Sequence, residues 1–167
     1  IMKFKALLVD DNLFMATVLS DMLKENHPDI EVLDIAKNGK DGIEKIKQLK
    51  PDLVFLDIEM PDMTGFEMLS KLEVVNFQII FITAHSQYAL KAFRFNALDY
   101  LLKPIDEKEL SQAIKRHTSL SKLQSNQNKV NQALINFQTQ NIGNQYLQLQ
   151  TQNGTLQLAL KQLVMIE

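Results

Sequence analysis

The 167-residue sequence contains no cysteine, which excludes a disulfide framework and any thiolate zinc site. Its three histidines, His27, His85 and His117, are too scattered along the chain to suggest a metal cluster. Long apolar runs are missing too. Stretches such as Gln78-Ile79-Ile80-Phe81-Ile82 are strand-length, far short of the roughly 20 residues that a membrane helix needs. With no charged and apolar leader at its start, the chain is expected to be soluble, unexported and cytoplasmic, with no membrane partner. Ile1 ahead of Met2 reads as an added residue and carries no weight in the fold reasoning.

One sign of charge is also missing from a large part of the chain, because no Asp or Glu occurs between Glu109 and Glu167. The net charge of -2 therefore hides an asymmetry. Residues 1 to 117 carry 15 basic and 19 acidic side chains, whereas 118 to 167 carry three lysines and one glutamate. Asn and Gln crowd the stretch from Gln124 to Gln145. A boundary is expected near 117, with a first unit over 3–117, an Asn/Gln-rich helical linker over 118–144 and the start of a second unit over 145–167.

In the first unit, apolar runs alternate with amphipathic stretches. Phe4 to Val9, Glu31 to Ala36, Leu53 to Leu56, Phe77 to Thr83 and Asp99 to Leu102 read as strands. Leu13 to Asn26, Lys40 to Leu49, Phe66 to Leu72, Gln87 to Phe95 and Asp106 to about Leu120 have helical spacing. Five such alternations predict an α/β fold with a parallel, doubly wound sheet covered by helices on both faces. In such sheets the groups that do chemistry gather beyond the carboxyl ends of the strands. The residues there are Asp10 and Asp11 after the first strand, Asp57 after the third, Thr83 ending the fourth and Lys103 after the fifth. Three carboxylates brought together repel unless a proton or cation intervenes, and an oxygen-only donor set favours Mg2+, with Mn2+ the alternative. The Lys103 ammonium and the Thr83 hydroxyl, together with such a metal, suit the oxygens of a phosphoryl group. Phosphoryl transfer to an aspartate is the chemistry this set fits. Any one of these residues alone would more ordinarily be a helix cap, a strand residue or a surface charge.

The segments Leu7-Leu8-Val9-Asp10-Asp11, Phe55-Leu56-Asp57-Ile58-Glu59-Met60-Pro61, Thr83-Ala84 and Tyr100-Leu101-Leu102-Lys103-Pro104 resemble the receiver domains of two-component response regulators, over about residues 3 to 117. The resemblance implies a flavodoxin-like sheet of strand order 2-1-3-4-5. It also implies that Asp57 accepts phosphate from a sensor histidine kinase and later loses it by intrinsic autohydrolysis, so the chain is a regulator rather than an enzyme. Asp11 and Asp57, with the backbone carbonyl of Glu59, would hold the metal, and Asp10 would act through water and charge. Thr83 and Lys103 would grip the phosphoryl group, Tyr100 would change rotamer as Thr83 moves, and the Lys103-Pro104 peptide would be cis. Tyr100 also reads simply as an aromatic strand residue. Asn12 departs from the family, which often carries an acid there, so metal binding is expected to be slightly weaker. Glu59 and His85 should flank the pocket mouth, either tuning the hydrolytic water or standing as exposed loop side chains.

A narrower resemblance lies in Phe81 to Phe93 and Asn96 to Asp106, which are similar to receivers of the LytTR class, whose output domain binds DNA. The tail is compatible. Tyr146 to Gln150 alternate, Asn153-Gly154 is a hairpin turn signal, and Thr155 to Leu160 alternate again. Leu163-Val164-Met165-Ile166-Glu167 resembles a further strand of an incomplete LytTR domain. With three lysines and no arginine this tail should bind DNA poorly, so DNA contact belongs to the full-length output domain. Leu120, Leu123, Gln127, Val130, Leu134 and Phe137 have a and d spacing, either for a helix pairing with a second copy or for a plain amphipathic linker. Homodimerisation on phosphorylation through the fourth and fifth helices is what the family implies. The alternative functions are a stand-alone receiver acting by protein-protein interaction and an aspartate-nucleophile phosphatase of the haloacid-dehalogenase kind. The latter carries its nucleophile after the first strand and a second Asp two residues on, where this chain has Glu59. A flavodoxin-like cofactor binder is disfavoured by the anionic, glycine-free loop Asp10-Asp11-Asn12-Leu13.

Overall fold

A computed structural model describes residues 2–138, 146–151 and 154–159. Contacts divide the chain into two compact units, Ile1–Thr118 and Ser119–Glu167. In the first unit β1 (Phe4–Val9), β2 (Ile30–Ala36), β3 (Leu53–Leu56), β4 (Gln78–Thr83) and β5 (Asp99–Leu102) form one sheet of order β2-β1-β3-β4-β5 in which every neighbouring pair is parallel. This is the flavodoxin-like strand order 2-1-3-4-5 expected from the sequence. Between the strands run α1 (Leu13–Asn26), α2 (Gly39–Leu49), α3 (Gly65–Ser70) and α4 (Ala89–Arg94), and α5 (Glu107–Gln138) follows β5.

The strands read as unbroken apolar runs because both faces of the sheet are buried. Alternate residues point opposite ways: Ala6 and Leu8 join Leu19, Leu23, Leu110 and Ile114 under α1 and α5, whereas Leu7 and Val9 join Ile46, Phe66, Met68 and Ala92 under α2, α3 and α4. Local chemistry sets the helix starts. Asn12 accepts from the Met15 amide, Asn38 from the Asp41 amide, and Thr64 with Glu67 forms a reciprocal capping box. Helix α2 stops at Lys50, whose φ of 48° is left-handed and which precedes Pro51.

Two helices differ from the sequence expectation. The stretch read as Gln87 to Phe95 is a 3-10 turn at Ser86–Tyr88 followed by the short α4. The helix expected to end near Leu120 and the helical linker expected after it are one uninterrupted helix of 32 residues from Glu107 to Gln138. Neither Gly nor Pro falls between Glu107 and Gln138, and a change in composition is not a helix breaker. Leu120 and Leu123 on α5 are exposed. In the second unit β6 (Tyr146–Thr151) pairs antiparallel with β7 (Gly154–Ala159), with Thr151 opposite Gly154. The expected Asn153 turn residue, the Leu163–Glu167 strand and linker residues 139–145 lie outside the described residues.

Candidate phosphoryl-acceptor site

The carboxyl ends of β1, β3, β4 and β5 place Asp10, Asp57, Thr83 and Lys103 together. Backbone pairing holds each in place: the Asp10 amide donates to the Ala36 carbonyl (3.0 Å), the Asp57 amide to the Val9 carbonyl (2.9 Å) and the Lys103 amide to the Thr83 carbonyl (2.8 Å). The Lys103-Pro104 peptide is cis. Gly65, the first residue of α3, packs so tightly on this edge that a Cβ would meet the Asp57 carbonyl oxygen at 2.5 Å.

The Lys103 ammonium is shared between two buried carboxylates, 2.7 Å from Asp10 Oδ2 and 3.2 Å from Asp57 Oδ2. The remaining oxygens accept from backbone amides, Asp10 Oδ1 from Asn12 (2.9 Å) and Asp57 Oδ1 from Ile58 (2.8 Å). Asp11 is exposed beside them, and one carboxylate oxygen from each of Asp10, Asp11 and Asp57 lies within 4.8 Å of the others. One ammonium against three carboxylates leaves an excess of negative charge. Burial first, and then the Asp10 charge, push Asp57 up to about 7 against the opposing pull of Lys103. Burial works to lower the Lys103 pKa, but its bonds and charge contacts with Asp10 and Asp57 outweigh that and raise it. The uncompensated charge and the all-oxygen donor set fit a hard divalent cation such as Mg2+.

A cavity of about 210 Å³ opens over this cluster, lined by Asp11, Asp57, Thr83, Lys103, Glu59 and His85 among others. The Thr83 hydroxyl is wholly buried and accepts from the His85 amide at 3.3 Å. The sequence set thus converges, with two qualifications. Tyr100 is not in the cavity lining; it is half-buried on β5, and its hydroxyl donates to the His85 carbonyl, two residues past Thr83. The side chain of Glu59 reaches across the mouth, 2.9 Å from His85 Nε2, and accepts from the Tyr88 hydroxyl at 2.7 Å. Glu59 and His85 are therefore partners rather than two separate loop side chains. Tyr88 was missed by the sequence reading, because nothing in its spacing shows that the turn at 86–88 folds back toward Glu59.

The response regulator receiver domain profile matches residues 6–115. An uncharacterized response regulatory protein of Vibrio cholerae is 48% identical over 112 residues, covering 66% of this chain and 47% of its own length. The transcriptional regulatory protein BtsR of Escherichia coli is 42% identical over 113 residues (67% and 47%). The sensory transduction protein LytT of Bacillus cereus is 40% identical over 115 residues (68% and 46%). The chain thus spans about half the length of the curated relatives it matches. Among solved structures, the response regulator TrrA of Thermotoga maritima, crystallised with Mg2+ and BeF, superposes with a TM-score of 0.61 at 32% identity, covering 70% of this chain and 99% of that one.

Proposed function

Because the chain belongs to the response-regulator receiver family, we propose that it takes a phosphoryl group from a sensor histidine kinase onto Asp57 and uses the acyl phosphate to switch a transcription-regulating output domain. The observation that carries this is the Lys103 ammonium held between Asp10 and Asp57, with Asp11 beside them and the Thr83 hydroxyl in the same cavity. In the transfer, an Asp57 carboxylate oxygen forms a bond to phosphorus as the P–N bond to the kinase histidine breaks, and the released imidazole nitrogen keeps the electron pair and takes a proton. Asp11 and Asp57, with the Glu59 backbone carbonyl, would hold Mg2+, and Asp10 would add to its site through water and charge; the ion would supply charge neutralisation for the phosphoryl oxygens. Lys103 and the Thr83 hydroxyl bond the other oxygens.

When Thr83 turns toward the phosphoryl group, the hydrogen bond from Tyr100 to His85 shifts with it, and the loop after β4 changes state. This is a shift of population between two arrangements. The acyl phosphate is lost by attack of water rather than by turnover of an external substrate. The kinship with LytT supports a LytTR-type DNA-binding output beginning with the β6–β7 hairpin, and the receiver resemblance implies a homodimer on phosphorylation. The receiver kinship and the lack of cysteine support work in the cytoplasm. Among the described residues no helix is long and apolar enough to cross a membrane.

Intact-mass measurement after incubation with acetyl phosphate and Mg2+ tests the proposal. A gain of one phosphoryl group, lost in Asp57→Asn and in a chelated control, is expected. No gain, or a gain that survives in Asp57→Asn, overturns the assigned acceptor.

A further inference from the structure

At the amino end of the sheet, opposite the acidic site, a cavity of about 460 Å³ lies between the ends of α3 and α4. Its volume falls within the range of small-molecule sites, roughly 300–1,000 Å³. The lining combines apolar side chains, of which Leu69 and Ile79 are buried, Phe77 and Phe95 half-buried and Val75 45% exposed, with the polar Gln78, Arg94 and Asn96. The Phe95 wall is preformed, because its ring is packed 5.1 Å from that of Phe66, which in turn lies 5.0 Å from Phe81. Preformed walls lower the ordering cost of binding.

Arg94 is the cation of this cavity. Its place in the last turn of α4 gives it an ordinary role beside the free carbonyls there. Yet it lines the cavity, and among the described residues its guanidinium makes no ion pair and no side-chain hydrogen bond. The cavity lining contains no carboxylate to meet it. The pairing of apolar and aromatic walls with one unpaired guanidinium is complementary to a ligand with an apolar body and an anionic head.

We propose that the cavity between α3 and α4 is a binding site for a small aryl or alkyl carboxylate, whose apolar body sits among Leu69, Phe77 and Phe95 and whose carboxylate pairs with Arg94. The site uses none of the residues around Asp57 and does not depend on phosphorylation.

The test is a backbone-amide NMR titration of the whole chain with 4-phenylbutyrate, and in parallel with 4-phenylbutanol, which has the same apolar body and no charge. Saturable shifts confined to the surroundings of Val75, Gln78, Phe95 and Asn96 are expected, with the acid binding about tenfold more tightly than the alcohol. Arg94→Gln should abolish that preference while leaving alcohol binding and the rest of the spectrum unchanged; because Arg94 is exposed, the fold tolerates the change. A Phe77→Ala variant should weaken both probes. Equal binding of acid and alcohol to the natural chain overturns the charge recognition, and scattered or non-saturating shifts overturn the site. Doubling of the sedimenting mass, with these same amides shifted by protein concentration alone, would assign the face to a second copy and likewise overturn the proposal.

Discussion

Replacing His117 with leucine should remove a proton-linked weakness in the first unit. His117 lies on α5, 2% exposed, with its ring edge-on to Phe4 at 4.7 Å between centroids. Neither ring nitrogen has a hydrogen-bond partner among the described residues. Burial holds its imidazole below the ordinary 6.5, against the upward pull of Asp52 and Asp29. The folded state therefore keeps the ring neutral where the unfolded chain already binds a proton, so stability is complete above about pH 6.5 and declines as pH falls below it. The slope is at most about 1.4 kcal/mol per pH unit, or up to about 2 kcal/mol between pH 6.5 and 5. Near pH 7.5 the variant sheds an unsatisfied polar group, worth about 1–3 kcal/mol. It also loses a ring contact of about 0.5–1.5 kcal/mol, so the two proteins should then differ by only about 1 kcal/mol. The gap in favour of leucine should widen on acidification, at about 3–6 °C of melting temperature per kcal/mol. Thermal melts followed by far-ultraviolet circular dichroism at several pH values read this directly, and the other titrating groups cancel because both proteins carry them. Parallel stability curves from about pH 7.5 to 5 would refute the reasoning, since a ring already protonated or hydrogen-bonded in the folded state gives no differential uptake.

Asp62 lies in the β3–α3 loop, yet it caps α2, its two oxygens accepting from the Gly39 (3.0 Å) and Lys40 (2.9 Å) amides. Asp62→Ala should cost about 1 kcal/mol in urea unfolding. Burial pushes the Asp62 carboxyl up, but backbone amides together hold it below 3.8, so the deficit should be complete above that pH and vanish as acid protonates the natural chain. Gly65→Ala should cost about 1–3 kcal/mol, because its Cβ would press on the Asp57 carbonyl oxygen, and should slow acetyl-phosphate labelling; a variant as stable and as fast as the natural chain would remove this contact from the account. Lys103→Met leaves Asp10 and Asp57 without their shared cation and should lose about 3 kcal/mol in chelator. Millimolar Mg2+ should then raise its melting temperature more than that of the natural chain, and an equal rise in both would contradict the charge excess assigned to this cluster.

The sequence by itself determined the layer architecture. Runs such as Leu53 to Leu56 and Gln78 to Thr83 are short and apolar on both sides, which only a sheet covered on two faces accommodates, and the amphipathic stretches between them supply the cover. The main site residues were legible for a related reason: parallel strands all deliver their carboxyl ends to one edge, so the residue after each strand is placed by topology before any side-chain contact is known. Turn signals and helix period likewise marked the β6–β7 hairpin and the start of α5. What the tertiary structure alone decided are pairings across large sequence separations. Lys103 divides itself between Asp10 and Asp57, Asp62 caps a helix 22 residues upstream, and Tyr88 folds back onto Glu59. His117 follows the inward stripe of Leu110, Ala113 and Ile114, so its burial follows from helical period, but only the packing of α5 on β1 set Phe4 against its ring and left its nitrogens without partners. Local pattern fixes which way a side chain points, because that depends on the backbone period. Which group it meets depends on how separate elements pack, and no local window of sequence contains that information.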